Sequence, residues 1–257
     1  MTVSHDLSNP DLIPQHHLDG NIIIVLDRPQ NPANIGAVVR AMKNMAVGTL
    51  RLANPAPFER AELLRYAHRC NDVVDALTIH ATLREALADV QFVVGTAALA
   101  HADLPQTMDV RTLAADLVSR AAAGGTVALL FGTEADGLDR AALDRCHLLA
   151  SLPVNPNYPA LNLAQSALIF LYELHMARSQ PESPSAPPPG PQQATQAELD
   201  RLFALTEEVL GAADFFRYNP DMVMRTLRQL TFRAAPSPED SALLMAILRK
   251  LARALHP

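Results

Sequence analysis

The chain has 257 residues, of which 49% are hydrophobic, and a formal net charge of −6. This size predicts one large or two ordinary domains with a substantial core, and the acidic balance argues against a uniformly basic nucleic-acid-binding surface. The segment 27–69 nevertheless carries seven Arg or Lys residues against three Asp or Glu, which predicts a local basic surface on an acidic protein.

The two cysteines, Cys70 and Cys146, stand far apart and without a histidine cluster. This spacing argues against a disulfide framework and against a metal site, and predicts reduced, buried thiols in a cytoplasmic protein. Residues 1–20 lack a basic segment followed by an apolar run, so we interpret them as a flexible extension rather than a signal peptide. No stretch approaches the roughly 18 apolar residues of a membrane helix, so no membrane partner is expected.

Short apolar or β-branched runs alternate with helical patterns along the first two-thirds of the chain. The runs predict buried strands at 21–26, 49–53, 91–96, 126–132 and 146–152. The patterns between and after them predict helices at 34–45, 59–66, 83–88, 111–122 and 161–178. This alternation is typical of an α/β domain, here 21–179, with a mainly parallel sheet covered by helices on both faces.

The composition changes after residue 179. Residues 180–193 are rich in Pro and Ser and predict a semi-rigid, extended linker. Three further helical patterns, at 195–210, 221–232 and 238–255, predict a small all-α domain over 194–257.

The segment 27–45, DRPQNPANIGAVVRAMKNM, leaves the first predicted strand and enters a helix. Asn34 is a good helix cap, and Gly36 lets another backbone approach closely. Arg40 falls on the polar face of the helix and, taken alone, would be interpreted as a solvated side chain. Four polar residues nevertheless gather at the end of this strand, where parallel sheets bind ligands, and this favours a functional role: Asn31, Asn34, Arg40 and Lys43.

The segment 129–138, LLFGTEADGL, ends another predicted strand in a glycine-rich loop. It lacks the lysine of a phosphate-binding loop and the glycine fingerprint of a dinucleotide site, which argues against a Rossmann-type nucleotide enzyme. Because Glu134 and Asp136 would repel phosphate, the loop favours a neutral or cationic ligand. A tight turn that caps a helix is an equally good interpretation of this segment alone.

The segment 155–174, NPNYPALNLAQSALIFLYEL, joins a stiff loop directly to an apolar helix. Its prolines restrict the loop, and its asparagines offer both donors and acceptors, which suits the edges of adenine and ribose. The loop contains no nucleophile and no metal ligand. The helix is apolar nearly all round, which predicts a homodimer interface along 162–178.

These three segments, in this order and spacing, resemble the motifs of the SPOUT superfamily of RNA methyltransferases, in its SpoU/TrmH branch, which methylates ribose 2′-oxygens. The similarity is greatest to the TrmJ type, which modifies position 32 (C or U) in the tRNA anticodon loop. It runs from about residue 21 to 254, excluding the linker, because that type also has a short helical C-terminal domain. The resemblance implies a parallel sheet with a deep C-terminal trefoil knot, a homodimer, and tRNA as the partner.

The resemblance also implies a methyl donor, S-adenosylmethionine, and no metal requirement. Carried over by position, the catalytic and polar motif residues are Arg40, Asn34, Glu134 and Asn162. The cofactor-binding residues are Thr96, Ala97, Ala98, Gly132, Leu152, Pro159, Ala160 and Leu161. There are two departures from the family pattern: Ala160 replaces a frequent serine, and the loop 95–99 reads GTAAL, without the family's hydroxyl and arginine.

An arginine is not deprotonated in proteins, so we interpret Arg40 as a clamp on the 3′-side phosphate and the developing oxyanion. We interpret Glu134 as shaping the pocket or pairing with a cationic partner. The C-terminal helices, with Arg225, Arg228 and Arg233, are expected to bind tRNA. The alternatives are a methyltransferase of the same superfamily acting on rRNA or another tRNA site, and a catalytically silent RNA-binding relative.

Overall fold

A seven-stranded sheet forms the centre of the computed structural model, which describes residues 20–98, 101, 103–179 and 192–255. The strands are β1 (Ile22–Asp27), β2 (Thr49–Ala53), β3 (Thr78–His80), β4 (Phe92–Thr96), β5 (Gln106–Thr107), β6 (Val127–Phe131) and β7 (Leu148–Ala150). Neighbouring strands all pair in parallel, in the order β3-β2-β1-β6-β4-β7-β5. The predicted parallel α/β sheet is confirmed.

Helices cover both faces of the sheet. They are α1 (Pro32–Asn44), α2 (Arg60–Tyr66), α3 (Asn71–Ala76), α4 (Leu83–Ala86), α5 (Val110–Ala122), α6 (Arg140–Leu143), α7 (Leu163–Arg178), α8 (Gln196–Ala212), α9 (Pro220–Ala234) and α10 (Pro238–Leu255). Alternate residues of β1 contribute to different cores: Ile22 and Ile24 pack towards α1, α5 and α7, and Ile23 packs towards α4 and α6. Burial on both faces explains why this strand is a continuous apolar run.

The start of α1 corrects one sequence prediction. The cap is Asn31 rather than Asn34: the Asn31 side chain accepts a 2.9 Å hydrogen bond from the Ala33 amide, and Pro32 takes the first helical position. Proline suits that position because the amide it lacks would have had no helical partner. A Cβ at Gly36 would lie 2.7 Å from the Leu63 carbonyl oxygen, so Gly36 lets α2 pack closely against α1.

Strands β3 and β5 and helices α3 and α6 were not predicted. The two strands form the edges of the sheet and are only three and two residues long. The two helices have six and four residues, fewer than two full turns. None of these elements is long enough to display a hydrophobic period.

The predicted C-terminal helical region is present as α8, α9 and α10, which share a core that includes Leu202, Phe203 and Phe232. These helices dock at the end of the sheet where its parallel strands begin. The backbone amide of Gln196 donates to the carbonyl of Val90, just before β4, at 2.8 Å. Asp200 pairs with Arg84 at 3.0 Å and with Arg145 at 3.1 Å. The helical region is therefore packed against the sheet domain, at the end opposite the carboxyl ends of the strands.

Arg228 is partly buried. Its guanidinium lies 4.5 Å from the centre of the Phe203 ring, and burial lowers its pKa. It packs within the helical region, whereas Arg233 is exposed, and tRNA binding by these helices remains a prediction.

Both cysteines are unpaired and buried, and burial raises the pKa of the Cys146 thiol to about 12. In the described residues no helix has the length and apolarity that a membrane crossing requires. The extension predicted at 1–20 and the linker predicted at 180–193 lie almost wholly outside the described residues. The domain boundaries and the trefoil knot remain predictions.

Candidate active site

A cavity of about 480 Å³ opens at the carboxyl ends of β4, β6 and β7. This volume falls within the roughly 300–1,000 Å³ of small-molecule sites. The eight residues predicted to bind the cofactor all line it: Thr96, Ala97, Ala98, Gly132, Leu152, Pro159, Ala160 and Leu161. Segments that are far apart in sequence thus meet at one cavity, and the cofactor role of these residues remains a prediction.

The loop after β6 forms one wall of the cavity. Thr133 and Gly137 exchange two backbone hydrogen bonds of 3.0 Å, which close a tight turn. Gly137 has φ +70°, a conformation that glycine adopts without strain. A Cβ at Gly132 would lie 2.0 Å from the Gly137 carbonyl carbon, so no other residue fits at position 132 without moving this turn.

Glu134 joins this loop to the loop after β1. One carboxylate oxygen, Oε2, accepts from the Gln30 amide at 2.9 Å, and Oε1 accepts from the Asn31 amide at 3.0 Å and from Asn34 Nδ2 at 3.1 Å. Burial alone would raise the pKa of this carboxyl, but the hydrogen bonds outweigh burial and hold the pKa below its ordinary value. Glu134 is therefore an ionised acceptor that fixes the pocket, which agrees with the interpretation that it shapes the site.

Asn162 brings the third segment into the same network. Its Nδ2 donates to Asn34 Oδ1 at 2.9 Å, and its Oδ1 caps α7 by accepting from the Ala164 amide at 2.9 Å. Within the preceding loop, Asn155 Oδ1 accepts from the Asn157 amide at 3.0 Å. These amide side chains thus stiffen the loop and join it to α1, in addition to any ligand contact.

Arg40 lies apart from the cavity. It is an exposed residue of α1, and among the described residues it has no hydrogen-bond or ion-pair partner. The structure therefore brings Asn34, Glu134 and Asn162 together and leaves Arg40 on the outer surface of its own helix.

Several cavity residues were missed by the sequence reasoning. Ser166 and Thr133 bring hydroxyl groups to the cavity that Ala160 also lines. Ser166 could have been noticed as a polar residue in the first turn of an apolar helix. His101 also lines the cavity, and its place shortly after β4 was the available signal. Within the described ranges no group of His, Cys, Asp and Glu could hold a metal ion.

Comparison with known proteins identifies relatives along most of the chain. The sequence profile of the SpoU rRNA Methylase family matches residues 21–172. The tRNA (cytidine/uridine-2'-O-)-methyltransferase TrmJ of Cronobacter sakazakii is 35% identical over 236 residues, which cover 90% of this chain and 96% of that protein. The protein of the same name from Yersinia pestis is 34% identical over 235 residues, which cover 90% and 91%.

Solved structures show the same architecture. TrmJ from Z. mobilis ZM4 superimposes with a TM-score of 0.77 at 27% identity, over 89% of this chain and 98% of that one. A probable methylase family protein from Haemophilus influenzae Rd KW20 gives a TM-score of 0.57 at 28% identity, over 92% and 97%. The similarity to these two structures therefore includes the C-terminal helices.

Proposed function

The chain belongs to the SpoU rRNA Methylase family, and we propose that it is an S-adenosylmethionine-dependent tRNA ribose 2′-O-methyltransferase. The observation that carries this proposal is the cavity at the carboxyl ends of the strands, which is lined by the second and third family segments and is joined to the first by hydrogen bonds of Glu134 and Asn162. The names of the relatives, which specify cytidine and uridine of tRNA, support tRNA as the substrate. We propose position 32 of the anticodon loop as the target and the cytoplasm as the location.

The residues of the cavity fit S-adenosylmethionine. Apolar side chains, including Leu152, Leu161 and Phe170, offer a surface for a flat adenine ring. Glu134 and Asp136 on the opposite loop favour a cation over an anion. Pro159 has no backbone N–H, so the loop around it has fewer donors than carbonyl acceptors, and a carbonyl can accept from a ligand. When bound, S-adenosylmethionine supplies an activated methyl group, and this is the difficult part of the chemistry.

The chain must then hold the ribose 2′-hydroxyl in line with that methyl group and stabilise the charge that develops on the oxygen. We assign this role to Arg40, whose planar fork suits a phosphate oxygen and the 2′-oxygen at once. Asn34, Glu134 and Asn162 are positioning residues, because their hydrogen-bonding groups are used on one another and on backbone amides.

The exposed face of α7 supports a homodimer. One side of this helix packs into its own chain, at Ala167, Phe170 and Leu171. The other side exposes large apolar side chains to 38–45%, at Leu168, Ile169, Tyr172 and Met176. A face of this kind marks an interaction surface. Because α1 also packs against α7, a second copy seated on this face would lie close to α1.

We infer that Arg40 serves the cavity of the partner protomer. Glu134, in the loop that lines the cavity, accepts from the Asn31 amide at the start of α1. At a rise of 1.5 Å per residue, Arg40 lies about 13 Å further along the axis of the helix. That distance exceeds the reach of an arginine side chain. A dimer through α7 offers the shorter route, from one copy's α1 to the other copy's cavity.

The substrate is tested by mass-spectrometric mapping of tRNA from cells that lack this protein. Loss of a single 2′-O-methyl mark in the anticodon loop, restored by the purified chain with S-adenosylmethionine, is the expected result. Loss of a mark from rRNA instead would reject tRNA as the substrate. Absence of methyl transfer to any cellular RNA would favour the silent relative.

The dimer is tested by light scattering at micromolar concentration and by mixed dimers. Leu168→Glu with Tyr172→Glu should give a monomer, whereas Leu243→Glu, an exposed leucine of α10, should not. A dimer of one Arg40→Ala chain and one Gly132→Ala chain should regain activity at one site if Arg40 acts across the interface. Such a dimer would be inactive if Arg40 acted within its own chain.

A further inference from the structure

The cations of the sheet domain are distributed unevenly. In the described part of residues 20–179, nine of the thirteen Arg and Lys residues pair with a carboxylate: Arg28, Lys43, Arg51, Arg60, Arg84, Arg111, Arg120, Arg140 and Arg145. Arg178 donates to the Ala46 carbonyl. Three exposed arginines, Arg40, Arg65 and Arg69, have no carboxylate partner among the described residues. On a protein with net charge −6, these are the cations of the domain that remain available to an external anion.

The three arginines belong to one surface. The Cβ of Tyr66, in the last turn of α2, lies 2.9 Å from where a Cβ of Gly36 would stand on α1. Further along α1, Lys43 Nζ lies 2.6 Å from a carboxylate oxygen of Asp72 at the start of α3. The chain from 66 to 72 therefore runs alongside α1 from 36 to 43, and Arg40 lies between these two contacts. This arrangement places the backbone that carries Arg65 and Arg69 beside the turn of α1 that carries Arg40.

Two carboxylates at the start of α2, those of Glu59 and Glu62, are hydrogen-bonded to backbone amides in its first turn, and the two carboxylates of α3 are paired with cations. Asp72 is paired with Lys43, and Asp75 is paired with Arg60. An aromatic residue, Tyr66, directly follows Arg65 in the sequence, and its side chain is 49% exposed. We call Arg65, Tyr66 and Arg69 the α2 surface. Exposed arginines around an exposed aromatic ring provide the chemistry that binds a single nucleic-acid strand, through phosphate contacts and base stacking.

We propose that the α2 surface binds the RNA strand that flanks the methylated nucleotide. Arg65 and Arg69 contact successive backbone phosphates, and the ring of Tyr66 stacks on an adjacent base. This inference rests on the proposed function, since Arg40 in the same cluster is assigned to the reacting ribose and its phosphate. The α2 surface would then fix the position of the strand relative to Arg40.

The test is tRNA binding and methyl transfer by the full-length protein with Arg65→Gln and Arg69→Gln. Each arginine should contribute about ten-fold to tRNA affinity, the effect of one charge-assisted hydrogen bond. The slope of log Kd against log salt concentration should fall by about 1 for each arginine removed. Affinity for S-adenosylmethionine, measured by calorimetry, should not change.

A matched variant, Arg111→Gln, removes one such charge from an arginine that is 79% exposed elsewhere on the domain. It should keep the tRNA affinity and the salt slope of the natural chain. Tyr66→Ala keeps the Cβ that packs on Gly36 but removes the ring, so it should weaken tRNA binding. Tyr66→Phe keeps the ring and should bind tRNA as the natural chain does.

Two failures are distinguishable. If the natural chain methylates tRNA while the Arg65→Gln, Arg69→Gln protein binds tRNA with the same affinity and salt slope, the α2 surface serves another partner and this inference is wrong. If the natural chain neither binds nor methylates tRNA, the proposed function and this inference both fail.

Discussion

Asn162 donates a hydrogen bond of 2.9 Å to Asn34, although 128 residues separate them. Through Asn34 the bond continues to Glu134, so one chain of polar contacts joins α1, the loop after β6 and the start of α7. Each member satisfies a donor or acceptor of another, so removing one leaves its partners unpaired, which costs free energy. The shape of the cavity therefore depends on a set of amide orientations.

Asn34→Asp should damage this network most directly. The substitution replaces the Nδ2 donor with an oxygen that faces Glu134 Oε1, leaving two carboxylates where one amide bridged the loops. We expect a loss of about 1–3 kcal/mol in the free energy of unfolding, the range for a broken polar contact, with weaker binding of S-adenosylmethionine. Urea denaturation and calorimetry measure the two effects. Asn44→Asp, at an exposed position of the same helix, is the control, and equal stability of the two variants would contradict the prediction.

Gly132→Ala should abolish the cavity without removing any functional group. The added methyl group would stand 2.0 Å from backbone atoms of Gly137, so the turn must move. We expect binding of S-adenosylmethionine to fall below detection in calorimetry. Gly211→Ala adds the same methyl group to α8, where nothing lies within 4 Å, and should be neutral or stabilising by up to about 1 kcal/mol. Normal cofactor binding by Gly132→Ala would show that the loop tolerates displacement.

Arg40→Ala should lower single-turnover methyl transfer by on the order of 10²–10³, the effect of losing one oxyanion donor, with a further loss from poorer alignment. Arg40→Lys should also fail, because a point charge cannot contact phosphate and 2′-oxygen as a fork does. Affinity for S-adenosylmethionine should stay nearly unchanged, since Arg40 lies outside the cavity. Near-normal turnover of Arg40→Lys would reject the clamp, and near-normal turnover of Arg40→Ala would reject Arg40 as the catalytic residue.

His147 should make the stability of the protein depend on pH. Burial, and then the nearby Arg120 charge, lowers its pKa from 6.5 to about 3, and its Nδ1 accepts from the Val93 amide at 3.1 Å. The folded state therefore holds a neutral ring where the unfolded chain binds a proton. The contribution of the neutral His147 ring to the free energy of unfolding is fully present above pH 6.5 and is lost as the pH falls towards 3.

The measurement is denaturant unfolding between pH 4.5 and 7.5 of the natural chain, His147→Gln and His68→Gln. His147→Gln should be less stable at pH 7.5, because it loses the ring that lies 4.1 Å from Phe232, and the difference from the natural chain should shrink on acidification. His68 is exposed, so His68→Gln should follow the natural chain. A constant difference between the natural chain and His147→Gln would count against a buried neutral His147.

The central strands were predictable because their burial is visible in the sequence. β1 and β6 are buried at every residue, so apart from Asp27 at the end of β1 both are runs of apolar residues that no surface element would carry. The edge strand β3 is partly exposed and has three residues, too few to reveal a period of two. Its pairing with β2 is decided by tertiary contacts.

The candidate site was predictable in its membership but only partly in its geometry. The resemblance named the eight cavity residues, and the fold brings them together. The cap of α1 was misplaced because Asn31 and Asn34 both suit a cap, and Pro32 was the signal that decides between them. The hydrogen bond between Asn34 and Asn162 depends on how two loops pack, which no local pattern encodes. The exposure of Arg40 was visible in the helical period of α1, whereas its separation from the cavity follows from three-dimensional packing.

The burial of both thiols makes the chain convenient for labelling. Cys70 and Cys146 are 2% and 0% exposed, and a thiol with a pKa of about 12 is scarcely ionised at neutral pH, so it reacts slowly with maleimides. A cysteine introduced at Tyr218, which is 88% exposed in the turn before α9, would be labelled selectively. A fluorophore there would report the arrival of RNA at the helical region without first removing either natural cysteine.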